Sequence, residues 1–332
     1  MRKKKPEETS LNNEKKYYVF AVEILERYLK KISAEISGTV KADDIEHVHR
    51  MRVATRRLRT AMELFKGCFQ RKTLRCFKKI LPRITNTLGA ARDTDVQIEY
   101  LTGVLRKNKN VKQRQGIKFI INKLKTKRKD LQPQIISCFD KLEKDNFFEI
   151  AGRRLKIALI ECEIRELKKR GEKQAEKHNA LAMIRAAAAD STKNEKFLSL
   201  PENEMELHDM RKKFKHLRYS VEIFKSFYGD NADFVIETIK QIQEYLGEIH
   251  DLDVFVSMVG FYLQYEEKAA SLAMNADALL ENYSKYKPGF EYLVKLFRIR
   301  RSRALKKLID FWTEISAGKF WDIFNPSFAM EN

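Results

Sequence analysis

The sequence predicts an all-α fold, on three observations. Glycine and proline are scarce, at 12 and 6 in 332 residues, while Lys, Leu, Glu, Ala and Ile abound. Apolar residues recur at spacings of three and four along most of the chain, the period of a helix with one buried face. A helical motif near the N-terminus returns, matching at six positions with one offset, some 160 positions later. A hydrophobic content of 43% is ample for a core, so the chain folds, as one large domain or two modest ones.

The elements follow in order. Residues 1–14 are polar and charged and read as a tail. From Lys15 to Ile36, Val19, Val22, Leu25, Leu29 and Ile32 make one apolar stripe and hence a helix. Gly38 follows it, and Asp43 or Asp44 caps the next helix. A third helix is expected over Lys72–Leu88, with Pro82 kinking or dividing it and Gly89 ending it; a fourth then starts near Asp93. A long basic helix spans about Lys112 to Leu142, with Pro133 inside it, and residues 148–172 read as a bridging helix. Ala175–Ala189 is helical, and Asn194–Glu204 is a loop containing Pro201. This divides the chain into a first helical bundle over 15–147, the bridge, a second bundle over 173–320 and a tail over 321–332.

The repeated motif is "HVHRMRVATRRLRTAMELF" (His47 to Phe65) against "LHDMRKKFKHLRYSVEIF" (Leu207 to Phe224). His208 falls on His49, Arg211 on Arg52, Lys215 on Arg56, Arg218 on Arg59, Glu222 on Glu63 and Phe224 on Phe65, all at one offset. Further on, "LGEIHDLDV" copies "LGAARDTDV". On a helix His49, Arg52, Arg56 and Arg59 stand at i, i+3, i+7 and i+10, a narrow cationic stripe. Ala54, Leu58, Ala61, Met62 and Phe65 take the opposite, core-facing side, as do Leu217, Ser220, Val221 and Phe224 in the second copy.

The net charge is +20 and the pI about 9.6, which calls for a polyanionic partner. A solvated helix face normally mixes signs, because like charges at i,i+4 repel, and these stripes do not. Arg presents a planar fork to phosphate oxygens and Lys a mobile point charge; a histidine beside phosphates gains a reason to protonate. The stripes therefore read as phosphate-binding, with His49 and His208 facing the ligand and His47, His178 and His216 structural. Pairing of some arginines with Asp93, Asp95, Asp251 or Asp253 stays open. For the aspartates themselves capping of a new helix is the preferred reading, over metal binding or acid–base work.

The two H-x-x-R-x-x-x-[RK]-x-x-R motifs, each ending in E-x-F and followed by LG-x-x-x-D-x-D, resemble the CHAD family, the conserved-histidine α-helical domain. The resemblance covers about residues 15–320. It implies two four-helix bundles related by internal duplication and pseudo-twofold symmetry, with basic faces converging on a central groove or pore that binds inorganic polyphosphate, often at polyphosphate granules. Carried over, it places His49, Arg52, Arg56, Arg59, His208, Arg211, Lys215 and Arg218 on the polyphosphate surface, flanked by Arg57 and Lys212. Lys79, Arg83, Lys240, Arg301, Arg303 and Lys307 are added from later helices. Lys215 and His216 stand where the first copy has Arg56 and Arg57, so the second stripe is expected to be the weaker or more pH-sensitive clamp.

A non-catalytic module is expected, with no cofactor and no metal. The strand-borne E-x-E-x-K of a triphosphate tunnel is lacking, its nearest string being "EMELH" at Glu204–His208, and glycine-rich phosphate loops, G-x-S-x-G and H-E-x-x-H are absent. Cys68, Cys76, Cys138 and Cys162 form no CxxC pair and read as free thiols of a reducing cytoplasm. No secretory signal is recognised, and the longest apolar run, Val254–Leu263, is too short to span a bilayer. The rival functions are nucleic-acid backbone binding, and a phosphohydrolase or phosphotransferase using the motif histidines.

Overall fold

The computed structural model describes the backbone of residues 6–168, 175–200, 202–225, 231–272 and 276–324, and the side chains of these apart from 6–16, 162–181 and 269–282. The fold is all-α: helices α1 (Pro6–Ala34), α2 (Ile36–Lys41), α3 (Ile45–Leu64), α4 (Arg71–Lys107), α5 (Val111–Lys144), α6 (Phe147–Lys168), α7 (Ala175–Thr192), α8 (Glu204–Ile223), α9 (Asn231–Leu272) and α10 (Ala276–Ala317). Short 3-10 helices occupy Glu195–Ser199 and Phe320–Phe324. Among the described residues no helix is long and apolar enough to cross a membrane.

The structure corrects both expected tails. α1 begins at Pro6, not Lys15; proline suits a first helical turn, where its missing N–H is not needed. At the other end Phe320 and Phe324 are buried and the Trp321 ring lies 5.2 Å from Trp312, so residues 321–324 pack instead of trailing. Residues 325–332 and the His178 and Cys162 side chains lie outside the described residues.

The larger correction concerns α4 and α9. Gly89 does not end a helix and Asp93 does not cap one; α4 runs unbroken through Pro82, Gly89 and Asp93. α9 likewise runs through Gly247 and Asp251. A mid-helix glycine costs about 1 kcal/mol relative to alanine. At Gly89 an arginine side chain from another helix packs close to the helix backbone, as described below.

Two compact units emerge, each from three separated segments. The first comprises residues 1–92, 131–187 and 219–229. Here Asp44 caps α3, its carboxylate accepting from the Glu46 N–H at 2.9 Å. The predicted inner face of α3 is buried: Ala54, Leu58, Ala61, Met62 and Phe65 are all at most 6% exposed. Phe65 and Phe224, the last residues of the two motif copies, meet at 5.5 Å between ring centroids, with Tyr17 and Phe20 completing the cluster. α6, read as a bridge, packs against α1 inside this unit.

The second unit comprises residues 93–130, 188–218 and 230–332. α9 and α10 pair with one another, and their residues Leu252, Phe255, Val259, Phe290, Leu293 and Phe297 join Leu101, Val104, Ile117, Ile120, Ile121 and Leu124 in one core. α5 and α10 cross at Gly116 and Gly289. A Cβ on Gly289 would stand 2.5 Å from the Gln113 carbonyl oxygen and 2.7 Å from the Gly116 Cα, so the crossing is backbone on backbone.

Candidate functional site

α3 positions the first stripe. His49 is half-buried, Arg52 is only 9% exposed, Arg56 is half-buried and Arg59 exposed. The partial burial of Arg52 has a visible cause. Its Nη1 would lie 3.0 Å from a Cβ placed on Gly89, so the glycine leaves room for the guanidinium against α4. Arg92, one turn beyond Gly89, stands 3.5 Å from Glu46 with its side chain 16% exposed. Burial, then the charge of Arg92 and those of Arg56 and Arg52, hold the His49 imidazole below its usual range, against the opposing pull of Glu46.

α8 positions the second stripe in the same manner. Arg211 packs on α9 at Gly247, where an added Cβ would be 3.8 Å from its Nε, and its Nη2 lies 3.6 Å from Asp251. His208 and His250 share a hydrogen bond of 2.8 Å between their Nδ1 atoms. One Nδ1 must donate and the other accept, so a further proton on the acceptor breaks the bond. His250 occupies the position in its LG-x-x-[RH]-D-x-D element that Arg92 holds in the first. Burial first, then Arg211, His208, Lys215 and Lys212, lower His250 to about 4, and burial with Lys212, Arg211 and Lys215 lowers His208.

Asp95 and Asp253, the second aspartates of the two elements, each grip an arginine from the following helix. Asp95 accepts from Arg128 Nε at 2.8 Å, and Asp253 accepts from Arg301 Nε. All four side chains are at most 14% exposed. The Arg301 Nη2 atom is buried and meets no acceptor among the described residues. The aspartates thus orient guanidiniums within their helices' packing and cap nothing.

Not every expected residue joins a stripe. Arg57 is committed to Glu222 at 2.7 Å and lies over the Tyr219 ring, a contact internal to the first unit. Lys212 is an exposed flank with Asp209 3.8 Å away. On α4, at about 100° per residue, Lys79 and Arg83 fall roughly 80° and 120° around from Gly89. On α10, Arg303 and Lys307 are exposed and roughly 160° and 120° around from Arg301. Lys240 shares the sector of Gly247 on α9, but Glu237 holds it at 3.0 Å. His47 is structural as read, bonded to Glu35 at 2.7 Å, and His216 is half-buried.

Sequence reasoning missed Arg92, His250 and Arg128. For the first two a signal existed, since the basic position in the repeated LG element stands one turn beyond the glycine that receives the stripe arginine. Arg128 carried none: it lies in a run of lysines and arginines, and only the fold selects it for Asp95.

The depressed histidines have a consequence for stability. Their folded pKa values lie below the unfolded imidazole value of about 6.5, so the unfolded chain binds more protons below that pH. Stability is full above it and falls as pH drops through the window towards 4. Urea melts of the ligand-free protein at pH 7.5 and 5.5 are expected to show lower stability at 5.5, with part of the difference absent in His250→Asn.

The model of the CHAD domain matches residues 23–259. This chain belongs to the CHAD family. Two solved structures are similar to this CHAD chain. The CHAD domain from the plant Ricinus communis matches at TM-score 0.58 and 18% identity, over 85% of this chain and 91% of that one. PptA from Streptomyces chartreusis matches at TM-score 0.51 and 12% identity, over 87% of this chain and 99% of that one. At such identities the likeness concerns the fold. No curated protein matches the chain.

Proposed function

We propose that this CHAD protein binds inorganic polyphosphate without transforming it, in association with polyphosphate granules, and that its two stripes descend from an internal duplication. One observation carries the reading: each stripe is headed by a half-buried histidine whose proton is disfavoured by burial first and then by three neighbouring cations, against one opposing carboxylate. Cations thus outnumber carboxylates around each of these histidines, which suits a polyanion. His49 to Arg59 extends over about 15 Å of helix, which suits a linear chain of phosphates.

Nucleic acid fits these stripes less well. Phe65, Phe214, Tyr219 and Phe224, the aromatic residues of the two motif copies, are at most 4% exposed and cannot serve as platforms for bases. The test is competition. Long-chain polyphosphate bound to the full chain is expected to resist displacement by duplex or single-stranded DNA at equal phosphate concentration, and no orthophosphate is expected to appear with a divalent metal present. Displacement by DNA, or release of phosphate, would each overturn the reading.

A further inference from the structure

The long basic helix α5 is not absorbed by the stripes. Within the second unit its N-terminal part forms, with α9 and α10, a cleft of about 740 Å³ that shares no lining residue with either stripe. Lys118 stands at one edge of the α5 face that lines the cleft, Lys123 and Lys127 at the other edge, and Lys285 joins them from α10. Against these four ammonium groups the lining holds one carboxylate, Asp130.

The cleft also has what the stripes lack. Phe119, Tyr262 and Tyr286 line it and are partly exposed at the edge of the core. Tyr286 stacks on Phe119 at 4.4 Å, Tyr262 meets Phe119 edge-on at 6.5 Å, and the Lys123 ammonium sits 5.1 Å from the Phe119 centroid. The Tyr262 phenol, pushed above its usual range by burial and then by the charge of Glu266, is a hydrogen-bond donor. A bare phosphate chain would use only the lysines. A ligand that uses both surfaces carries a flat aromatic ring and a phosphate on one scaffold.

We propose that this cleft binds nucleoside phosphates, the base against the Phe119–Tyr262–Tyr286 cluster and the phosphate on the lysines, independently of polyphosphate at the stripes. The occupant is either a free nucleotide or one nucleotide of a single strand. The full chain is titrated with a ten-residue oligothymidylate, with an abasic strand of the same length and charge, and with thymidine triphosphate. Base stacking predicts about tenfold tighter binding of the oligothymidylate than of the abasic strand. The exposed-residue variant Lys118→Ala/Lys123→Ala/Lys127→Ala is expected to lose about tenfold in oligothymidylate affinity with its helical signal unchanged. Tyr262→Ala is expected to erase the preference for bases. Binding of the triphosphate assigns a free nucleotide, and binding of the strand alone assigns a strand. Equal affinity for the two strands, or an oligothymidylate affinity unchanged in the lysine variant, overturns the proposal. Retention of the base preference in Arg56→Ala/Arg59→Ala separates this site from the stripes.

Discussion

Replacing Arg56 and Arg59 together with alanine is expected to weaken polyphosphate binding by at least about a hundredfold at low salt. Hydrogen bonds to charged groups contribute roughly 1.5–3 kcal/mol each, and two such contacts would be lost. The slope of affinity against salt should also flatten, because fewer counterions are released from the polyanion. Both side chains reach solvent, so helicity and melting should not change. Arg52 is left out for a physical reason. It is 9% exposed and packed against Gly89, so its removal opens space in the fold as well as removing charge. Binding measured by isothermal titration across a salt series is the check. An unchanged affinity in the double variant would refute the assignment of the first stripe.

Gly289→Ala is expected to destabilise the protein by about 3 kcal/mol, the upper part of the cost of overpacking. The sign is the informative part. In an open helix position the same substitution is favourable by up to about 1 kcal/mol. Gly103 and Gly260 are such positions, with nothing within 4 Å of a built Cβ, and alanine there should stabilise. At Gly289 the added carbon would meet the Gln113 carbonyl and the Gly116 Cα, which are backbone and cannot rotate away. Denaturant melts of the three single variants decide the matter. A stabilised Gly289→Ala would mean that α5 and α10 do not cross as closely as described.

Much of the candidate site was legible because it is written in helical period. The three- and four-residue spacing of α3 and α8 separates cation from core within one element, and the buried Leu58, Phe65, Leu217 and Phe224 follow from it. The second copy of the motif was legible for the same reason, since identity at a fixed offset needs no coordinates. Gly89 and Gly247 were misread because a local rule, glycine as a helix end, was applied inside helices that run on; Arg52 from another helix packs close at Gly89, while Arg211 is at ordinary contact distance from Gly247. Asp93 and Asp251 were misread with them, since a cap needs a helix start. Arg303 and Lys307 were added from the resemblance without a register, and the turn of α10 puts them, exposed, in other sectors than the packed Arg301.

By itself, then, the chain's sequence determined the all-α class, the burial side of each motif helix and the cationic stripes, because these depend on residues within three or four positions of one another. Tertiary structure alone decided that Arg57 belongs to Glu222, that Asp95 and Asp253 hold Arg128 and Arg301, and that His250 bonds to His208. It also decided that each compact unit gathers three separated segments. These are contacts between groups from about 30 to 165 positions apart. Charge and hydropathy along the chain say that such groups need partners, and only the packing of helices chooses which.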